Sequence, residues 1–182
     1  AGLPLREHDF QAPLLSLPCI FATRLETIPA EVPHASVDPA RVAAWRERLQ
    51  YEGRFRVGLA WAGNPRHESD RSRSLRLAQF VPLARVPEVA FFSLQRGPGR
   101  EQLEDPPAGL AIVDLEHPDG DIVDTAAAIL NLDLVITIDS LVAHLAGALA
   151  RPVWVLLGCA PDWRWLLERE ESPWYPTARL FR

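Results

Sequence analysis

Residues 133–160 read D-L-V-I-T-I-D-S-L-V-A-H-L-A-G-A-L-A-R-P-V-W-V-L-L-G-C-A and predict a strand, a helix and a second strand in succession. The run at 134–138 is apolar and β-branched without alternating polar positions, which is typical of a strand buried on both faces of a parallel sheet. Ser140 is a favourable N-cap residue, and residues 141–150 place apolar side chains at helical spacing. A second apolar run at 153–157 completes the strand-helix-strand unit.

Polar residues collect where the first strand of this unit ends and its helix begins. Asp139 and Ser140 stand at the junction, and His144 follows about one turn into the helix. Open α/β sheets bind ligands at the carboxyl ends of their strands, and the free amides and positive dipole of a helix start favour phosphate. The three residues therefore predict an anion site, with His144 as an additional donor.

The rest of the chain also alternates strands with helices. Further strands are predicted at 55–61, 89–95, 110–113 and 178–181, and helical segments at 40–49, 77–85, 100–104 and from 121 to about 132. This alternation predicts an α/β fold with a doubly wound, Rossmann-like parallel sheet and right-handed crossovers.

Two polar segments interrupt the alternation. Residues 66–74 carry several charges and are expected to form a solvated loop, in which Arg71 or Arg73 is available to meet an anion. A turn is predicted at Pro118, Asp119 and Gly120.

The chain divides near residue 37. Residues 1–37 contain five prolines and show no sustained hydrophobic period, so they are expected to be a linker or the tail of a preceding domain. An apolar patch at 14–21 is expected to pack on a part of the protein outside this sequence, and the lack of any methionine suggests a fragment of a longer chain. Residues 38–182 are expected to form one Rossmann-like domain.

Composition excludes several classes of protein. A formal charge of −5 over 182 residues argues against nucleic-acid binding. No apolar stretch is long enough to span a bilayer without a charge, and no signal peptide is visible. Cys19 and Cys159 are too few for a disulfide framework or a zinc site, which favours a cytoplasmic setting. No cluster of His, Cys, Asp or Glu has a convincing metal-ligand spacing, so no metal is expected.

The turn after the first predicted strand, W-A-G-N-P-R-H, has one glycine where a dinucleotide fingerprint needs three, and no Walker sequence is present. Gly63 and Asn64 in this turn, and Gln95 at the end of the second strand, are each common in ordinary turns and strand ends. Their predicted position at one edge of the sheet, beside Asp139 and Ser140, is what favours a binding site.

Four runs carry a family resemblance: V-G-L-A-W-A-G-N-P, F-F-S-L-Q, D-T-A-A-A-I-L-N-L-D-L-V-I-T-I-D-S-L-V-A-H-L-A-G-A-L and P-D-W-R-W-L-L-E-R-E-E-S-P-W-Y-P. Together, over residues 55–181, they resemble the carboxyl-terminal half of bacterial glycosyltransferases that often follow tetratricopeptide repeats. The run D-S-L-V-A-H-L-A-G-A-L is also similar to the D-T-G-x-x-H-L-A-A-A-L pattern of ADP-heptose lipopolysaccharide heptosyltransferases.

This resemblance implies one half of a GT-B architecture, in which two Rossmann-like domains face each other and this one binds a nucleotide-sugar donor. The donor is a substrate, and no cofactor is implied. The implied donor-binding residues are Gly63, Asn64, Gln95, Leu115, Thr125, Asp139, Ser140 and His144. Ser140 stands where heptosyltransferases have threonine and Leu141 where they have glycine, which puts a heptose donor in doubt.

The general base and most of the acceptor site belong to the opposite domain in the family that the chain resembles. The catalytic residue is therefore unknown, and the acceptor is expected to be a protein or a glycan. The residues of the amino-terminal segment that qualify by chemistry alone are Glu7, His8, Asp9, Glu26, Glu31 and His34. The expected activity is inverting, metal-independent glycosyl transfer, which this chain is not expected to perform alone.

Two other functions fit the same pattern. One is a non-catalytic nucleotide-binding or scaffold module of the same fold, and the other is a nucleotide-sugar epimerase. Fold resemblance alone does not choose among the three.

Overall fold

An open sheet of six parallel strands is the centre of the structure, a computed structural model that describes residues 8–50, 53–68, 70–115 and 120–182. The strands are β1 (Phe55–Ala60), β2 (Val89–Ser93), β3 (Ile112–Asp114), β4 (Leu134–Ile138), β5 (Val153–Leu156) and β6 (Ala178–Phe181). Their order across the sheet is β3-β2-β1-β4-β5-β6. Every pairing between neighbours is parallel, which confirms the predicted doubly wound sheet.

Within the part of the chain that the structure describes, five α-helices and five 3₁₀ helices accompany the strands. The α-helices are α1 (Leu17–Ile20), α2 (Pro39–Arg48), α3 (Asp70–Arg73), α4 (Ile122–Leu130) and α5 (Leu141–Ala148). The 3₁₀ helices are Leu14–Ser16, Leu25–Thr27, Leu77–Arg85, Arg100–Leu103 and Trp163–Trp165. Pro82 lies inside Leu77–Arg85, where its missing N–H is less costly than in a long α-helix. Within the described ranges, no helix is long and apolar enough to span a bilayer.

Apolar side chains fill both faces of the sheet. On one face α5 packs on β4 and β5, and α2 packs against α4. Trp45, Ile129 and Ala146 of these helices belong to one buried cluster with Val135 and Val153.

On the other face the 3₁₀ helix Leu77–Arg85 supplies Leu77 and Phe80, which pack with Leu59 and Phe91. Successive strand residues point to opposite faces, so a sheet covered on both sides needs the continuous apolar runs seen in the sequence.

The strand order reverses between β1 and β4, which lie side by side at the centre. From β1 the chain proceeds to β2 and β3 on one side, and from β4 it proceeds to β5 and β6 on the other. The loops that follow these two strands run in opposite directions. Such a switch point forms a crevice in open α/β sheets.

Several predicted element bounds need correction, and three of them have a clear physical reason. The third strand begins at Ile112 rather than Leu110, because the Leu110 N–H bonds to the Pro107 carbonyl in a turn where Gly109 has a φ of +89°.

The first two strands end at Ala60 and Ser93, earlier than predicted. Beyond Ala60 the N–H groups of Trp61 and Ala62 donate to the Gln95 side chain. Beyond Ser93 the Gln95 N–H donates to Ser93 Oγ, so these N–H groups do not extend the ladder of the sheet.

The loop at 66–74 is more ordered than a solvated loop. It contains α3, and the Arg73 side chain is only 21% exposed because it packs against the loop after β4. Arg71, in contrast, is exposed as expected.

The segment at 8–33 lies largely outside the core. The predicted patch contains four large apolar residues that are between 60% and 86% exposed, Leu14, Leu15, Ile20 and Phe21, whereas its Leu17 is half-buried. Backbone hydrogen bonds join the segment to α5 at His34 and Ala35, whose N–H groups donate to the Ala148 carbonyl. Leu14 and Leu15 also line a cleft beside the start of α5. Glu7, Pro118 and Asp119 fall outside the described residues.

Candidate functional site

A cleft of about 970 Å³ opens at the carboxyl ends of β1, β2 and β4. We call it the switch-point cleft and define it by Gly63, Asn64, Arg66, Arg73, Gln95, Arg96, Thr125 and Ser140. Its volume falls in the range of small-molecule and cofactor sites, and its position is where open α/β sheets bind ligands.

Gln95 joins the loop after β1 to the loop after β2 at one end of this cleft. Its Oε1 accepts from the N–H groups of Trp61 and Ala62, both at 2.9 Å. Its Nε2 donates to the carbonyls of Ala62 at 3.0 Å and Pro98 at 2.7 Å. The amide therefore has its hydrogen-bonding capacity used within the chain, so Gln95 shapes the cleft wall through the backbone that it orders.

Gly63 allows a close approach between the β1 loop and α3. A Cβ on Gly63 would lie 2.6 Å from Asp70 Oδ1 and 2.7 Å from an Arg73 guanidinium nitrogen, closer than side chains pack. The Gly63 N–H donates to Ser74 Oγ, which in turn donates to Asp70 Oδ1. These contacts fix Asn64 at the cleft rim, where its Oδ1 accepts from the Arg66 N–H at 3.0 Å.

Arg73 connects the β1 loop to the β4 loop. Its Nη1 donates to the Asp139 carbonyl at 3.1 Å, and its Nε lies 3.5 Å from Asp70 Oδ1. Arg66 lines the same cleft from the loop after β1, and Arg96 lines it from the loop after β2. Among the lining residues that the structure describes, three are therefore arginines and one, Asp121, is an acid. The cleft is therefore electropositive and suited to an anion.

Arg96 also orders the start of α4. Its guanidinium donates to the Gly120 and Asp121 carbonyls and lies 3.4 Å from Thr125 Oγ1. This contact places Thr125 at the cleft wall. Leu115 is buried behind Gln95 and Thr125 and does not line the switch-point cleft.

Helix α5 begins at the cleft. Ser140 Oγ accepts from the Val142 N–H at 3.3 Å and lies 3.1 Å from Thr137 Oγ1. The Ala143 N–H donates to the Ser140 carbonyl at 3.1 Å. The amino end of α5 is the positive end of the helix dipole, so this helix start favours negative charge.

A second cleft of about 820 Å³ lies on the other side of the α5 start. We call it the aromatic cleft and define it by Asp139, His144, Asp162, Trp163, Arg164, Trp165, Trp174 and Tyr175. Arg73, Ser140 and Leu141 line both clefts, which are therefore neighbours across the amino end of α5.

His144 is ordered within the aromatic cleft by its neighbours. Its Nδ1 lies 3.1 Å from the Tyr175 hydroxyl, its Nε2 lies 3.9 Å from Asp139 Oδ1, and its ring stacks on Trp165 at 5.3 Å. Burial lowers the pKa of His144 below its ordinary value, opposed by Asp139 and aided by Arg164. The imidazole is therefore neutral at pH 7, and its Nε2 is the nitrogen nearest to Asp139.

Tyr175 reaches His144 because α5 carries a glycine one turn later. A Cβ on Gly147 would overlap the Tyr175 ring, so the ring lies directly on the helix backbone. Burial raises the pKa of the Tyr175 hydroxyl, which is therefore protonated at neutral pH.

The predicted site residues divide between the two clefts. Gly63, Asn64, Gln95 and Thr125 line the switch-point cleft, Asp139 and His144 line the aromatic cleft, and Ser140 lines both. The sequence did not predict Arg66 and Arg96 as cleft residues, and it favoured local packing over sugar stacking for the tryptophan-rich run that contains Trp163. The signal for Arg66 was its place directly after the first strand, whereas no local pattern marks Arg96.

Among the residues that the structure describes, no group of three or more His, Cys, Asp or Glu side chains is placed to coordinate a metal ion. Metal-independent chemistry stays a prediction.

Fold and clefts together define the class of domain: a Rossmann-like α/β unit with a polar crevice at its switch point. Two solved structures share this fold. E. coli ADP-heptose LPS heptosyltransferase II matches with a TM-score of 0.60 and 18% identity over 85% of this chain and 46% of that enzyme. A glycosyl transferase family 9 structure from Veillonella parvula DSM 2008 matches with a TM-score of 0.55 and 15% identity over 81% of this chain and 42% of that one. The chain therefore has a glycosyltransferase-like fold.

In sequence, the chain is similar to Protein FlbA of Caulobacter vibrioides, with 33% identity over 163 residues. The match covers 86% of this chain and 27% of FlbA, so the chain spans about a quarter of that relative's length. No protein-family model matches the sequence.

Proposed function

We propose that this chain is the donor-binding domain of an inverting, metal-independent glycosyltransferase that uses a nucleotide sugar. The observation that carries the proposal is the meeting of the α5 start, Arg73 and the switch-point cleft at one place. The glycosyltransferase-like fold supports it.

The donor phosphates occupy the amino end of α5 in this proposal. The positive end of the α5 dipole and the guanidinium of Arg73 supply the positive charge that a metal ion supplies in other enzymes. Arg66 adds a second cation from the loop after β1, because its exposed side chain lines the same cleft.

The nucleoside extends from the phosphates into the switch-point cleft. Thr125 and Asn64 offer it side-chain hydrogen bonds, and Gln95 acts through the two loops that it orders. Leu115 acts only indirectly, because it is buried behind this wall.

The acceptor, a protein or a glycan, and the general base belong to the rest of the protein in this proposal. The chain corresponds to 46% of the length of heptosyltransferase II, so a second domain of the same protein is the expected partner. We place the reaction in the cytoplasm.

Calorimetric titration tests the proposal directly. UDP, GDP, ADP and CMP, the leaving groups of common nucleotide sugars, are each titrated into the chain in the presence of a chelator. We expect at least one to bind. Binding by none of them contradicts the proposal, and binding that requires a divalent ion contradicts metal independence.

The Arg66→Ala variant tests whether the bound nucleotide contacts the switch-point cleft. The Arg66 guanidinium makes no hydrogen bond or ion pair with another described residue, so its removal leaves the loop contacts in place. We expect the affinity for the bound nucleotide to fall about fivefold, the equivalent of about 1 kcal/mol for one exposed charged contact.

Arg85→Ala is the matched control, because Arg85 is exposed and lines neither cleft. It should change the affinity by less than about twofold. Equal losses from both variants would point to net charge rather than to a site in the switch-point cleft.

A further inference from the structure

We propose that the aromatic cleft binds the sugar ring of the donor, with Trp163 as the surface on which the ring stacks. This inference rests on the proposed function and adds a sugar subsite to it.

The two clefts have the geometry that a nucleotide sugar requires. In such a molecule the phosphates lie between the nucleoside and the sugar. Ser140 and Arg73, the proposed phosphate contacts, line both clefts. A nucleoside in the switch-point cleft therefore directs the sugar across the α5 start and into the aromatic cleft.

The Arg164 guanidinium lies over the Trp163 ring, with its carbon 5.2 Å from the ring centroid. Trp163 nevertheless presents apolar surface that local packing leaves uncovered. It is 62% exposed, whereas Trp165, two residues later, is 1% exposed and belongs to the core. Burial of a tryptophan is favourable, so this much exposed indole in a cleft indicates a surface available to a ligand.

The orientation of Trp163 is constrained by its neighbours. It packs edge to face with Trp174, with centroids 6.2 Å apart and planes at 84°. Trp174 is itself fixed, because its Nε1 donates to the Arg164 carbonyl at 3.0 Å. A prearranged aromatic face loses little conformational entropy when a ring stacks on it.

Polar groups line the same cleft as this surface. Asp162 and Arg164 form an ion pair at 2.6 Å, and both are partly exposed in the cleft. Their oxygens and N–H groups accept from and donate to neighbouring hydroxyls. The neutral His144 adds a further polar group. An aromatic face with such polar groups beside it matches a sugar, whose C–H bonds are apolar and whose hydroxyls are polar.

The test compares each nucleotide with its sugar conjugate, so that the sugar contribution is measured separately. The probes are UDP-glucose, UDP-N-acetylglucosamine, GDP-mannose, ADP-glucose and CMP-N-acetylneuraminate, each set against its free nucleotide. At least one conjugate should bind more tightly than its nucleotide. Trp163→Ala should weaken that conjugate about fivefold and change the free nucleotide by less than about twofold.

Two variants accompany this measurement. Trp163→Phe keeps an aromatic ring and should restore most of the conjugate affinity. Trp154→Ala removes a half-exposed tryptophan on β5 that lines neither cleft, and it should leave both affinities unchanged.

Three results overturn the sugar subsite while the nucleotide proposal stands: no conjugate binds more tightly than its nucleotide, Trp163→Ala has no effect, or it weakens nucleotide and conjugate equally. If no free nucleotide and no conjugate binds at all, the proposed function fails first and the subsite with it.

Discussion

At the residue scale, His144 has a protonation state that the fold controls. Its ring is enclosed by Trp165 and Tyr175, and the charged groups facing it are Asp139, Asp162 and Arg164. Burial outweighs the two carboxylates and lowers the pKa, so the folded protein binds a proton here less readily than the unfolded chain.

This difference predicts a pH dependence of stability. An unfolded histidine takes up its proton near pH 6.5, whereas His144 in the folded state does so only at lower pH. As pH falls from about 7 toward 5, proton uptake by the unfolded chain should lower the free energy of unfolding. The slope should stay below the roughly 1.4 kcal/mol per pH unit that a full proton would give.

His144→Phe keeps a ring on Trp165 and removes the titration. Urea unfolding across this pH range should give a shallower slope for the variant than for the parent, whatever its stability at pH 7. Parallel slopes would show that His144 titrates as it does in the unfolded chain.

At the element scale, Tyr175 packs on α5 at Gly147, a position where helix propensity alone would favour alanine. Alanine at position 147 would stabilise an isolated helix by about 0.8 to 1 kcal/mol relative to glycine. In the fold the added Cβ overlaps the Tyr175 ring, so Gly147→Ala should instead lower the free energy of unfolding, by about 1 to 3 kcal/mol.

A double-mutant cycle separates these two effects. With Tyr175→Ala in the background the overlap is absent, and Gly147→Ala should become neutral or stabilising. Equal effects of Gly147→Ala in both backgrounds would mean that Tyr175 does not pack on the helix backbone.

Local patterns predicted most elements because each reflects contacts within a few residues. The strands at 134–138 and 178–181 match Leu134–Ile138 and Ala178–Phe181, since their apolar runs are the direct requirement of a buried parallel sheet. Leu110 was assigned to a strand because its turn depends on the Pro107 carbonyl and on the conformation of Gly109, which an apolar pattern does not record.

The sequence could not predict that the site residues are divided between two clefts. Spacing placed His144 and Ser140 on the same side of one helix, which is correct. Whether that side faces one cleft or two depends on Arg73 and on the loop that carries Trp163, both distant in the chain. Contacts between residues far apart in sequence have no local signature.

At the scale of the whole molecule, the chain is expected to bind a donor without transferring its sugar. Inverting transfer needs a general base near the acceptor hydroxyl. Of the candidates chosen by chemistry, His8, Asp9, Glu26, Glu31 and His34 are all exposed and line neither cleft. His34 lies at the far end of α5, where its N–H donates to the Ala148 carbonyl.

The measurement is sugar transfer at saturating donor by this chain and by the full protein from which it comes. We expect transfer by the chain to be slower by about 100-fold or more, the usual effect of losing a general base. Comparable rates would place the base within these 182 residues.

The hydrogen bonds of Gln95 limit which residues can replace it in relatives of this chain. Its position demands a planar group long enough to bridge two loops, with one atom that accepts twice and another that donates twice. Asparagine is one methylene shorter, and a glutamate carboxylate has no N–H for the Ala62 and Pro98 carbonyls. Homologues that keep both loops should therefore keep glutamine even where their donors differ, and its persistence in an alignment would record loop architecture rather than substrate choice.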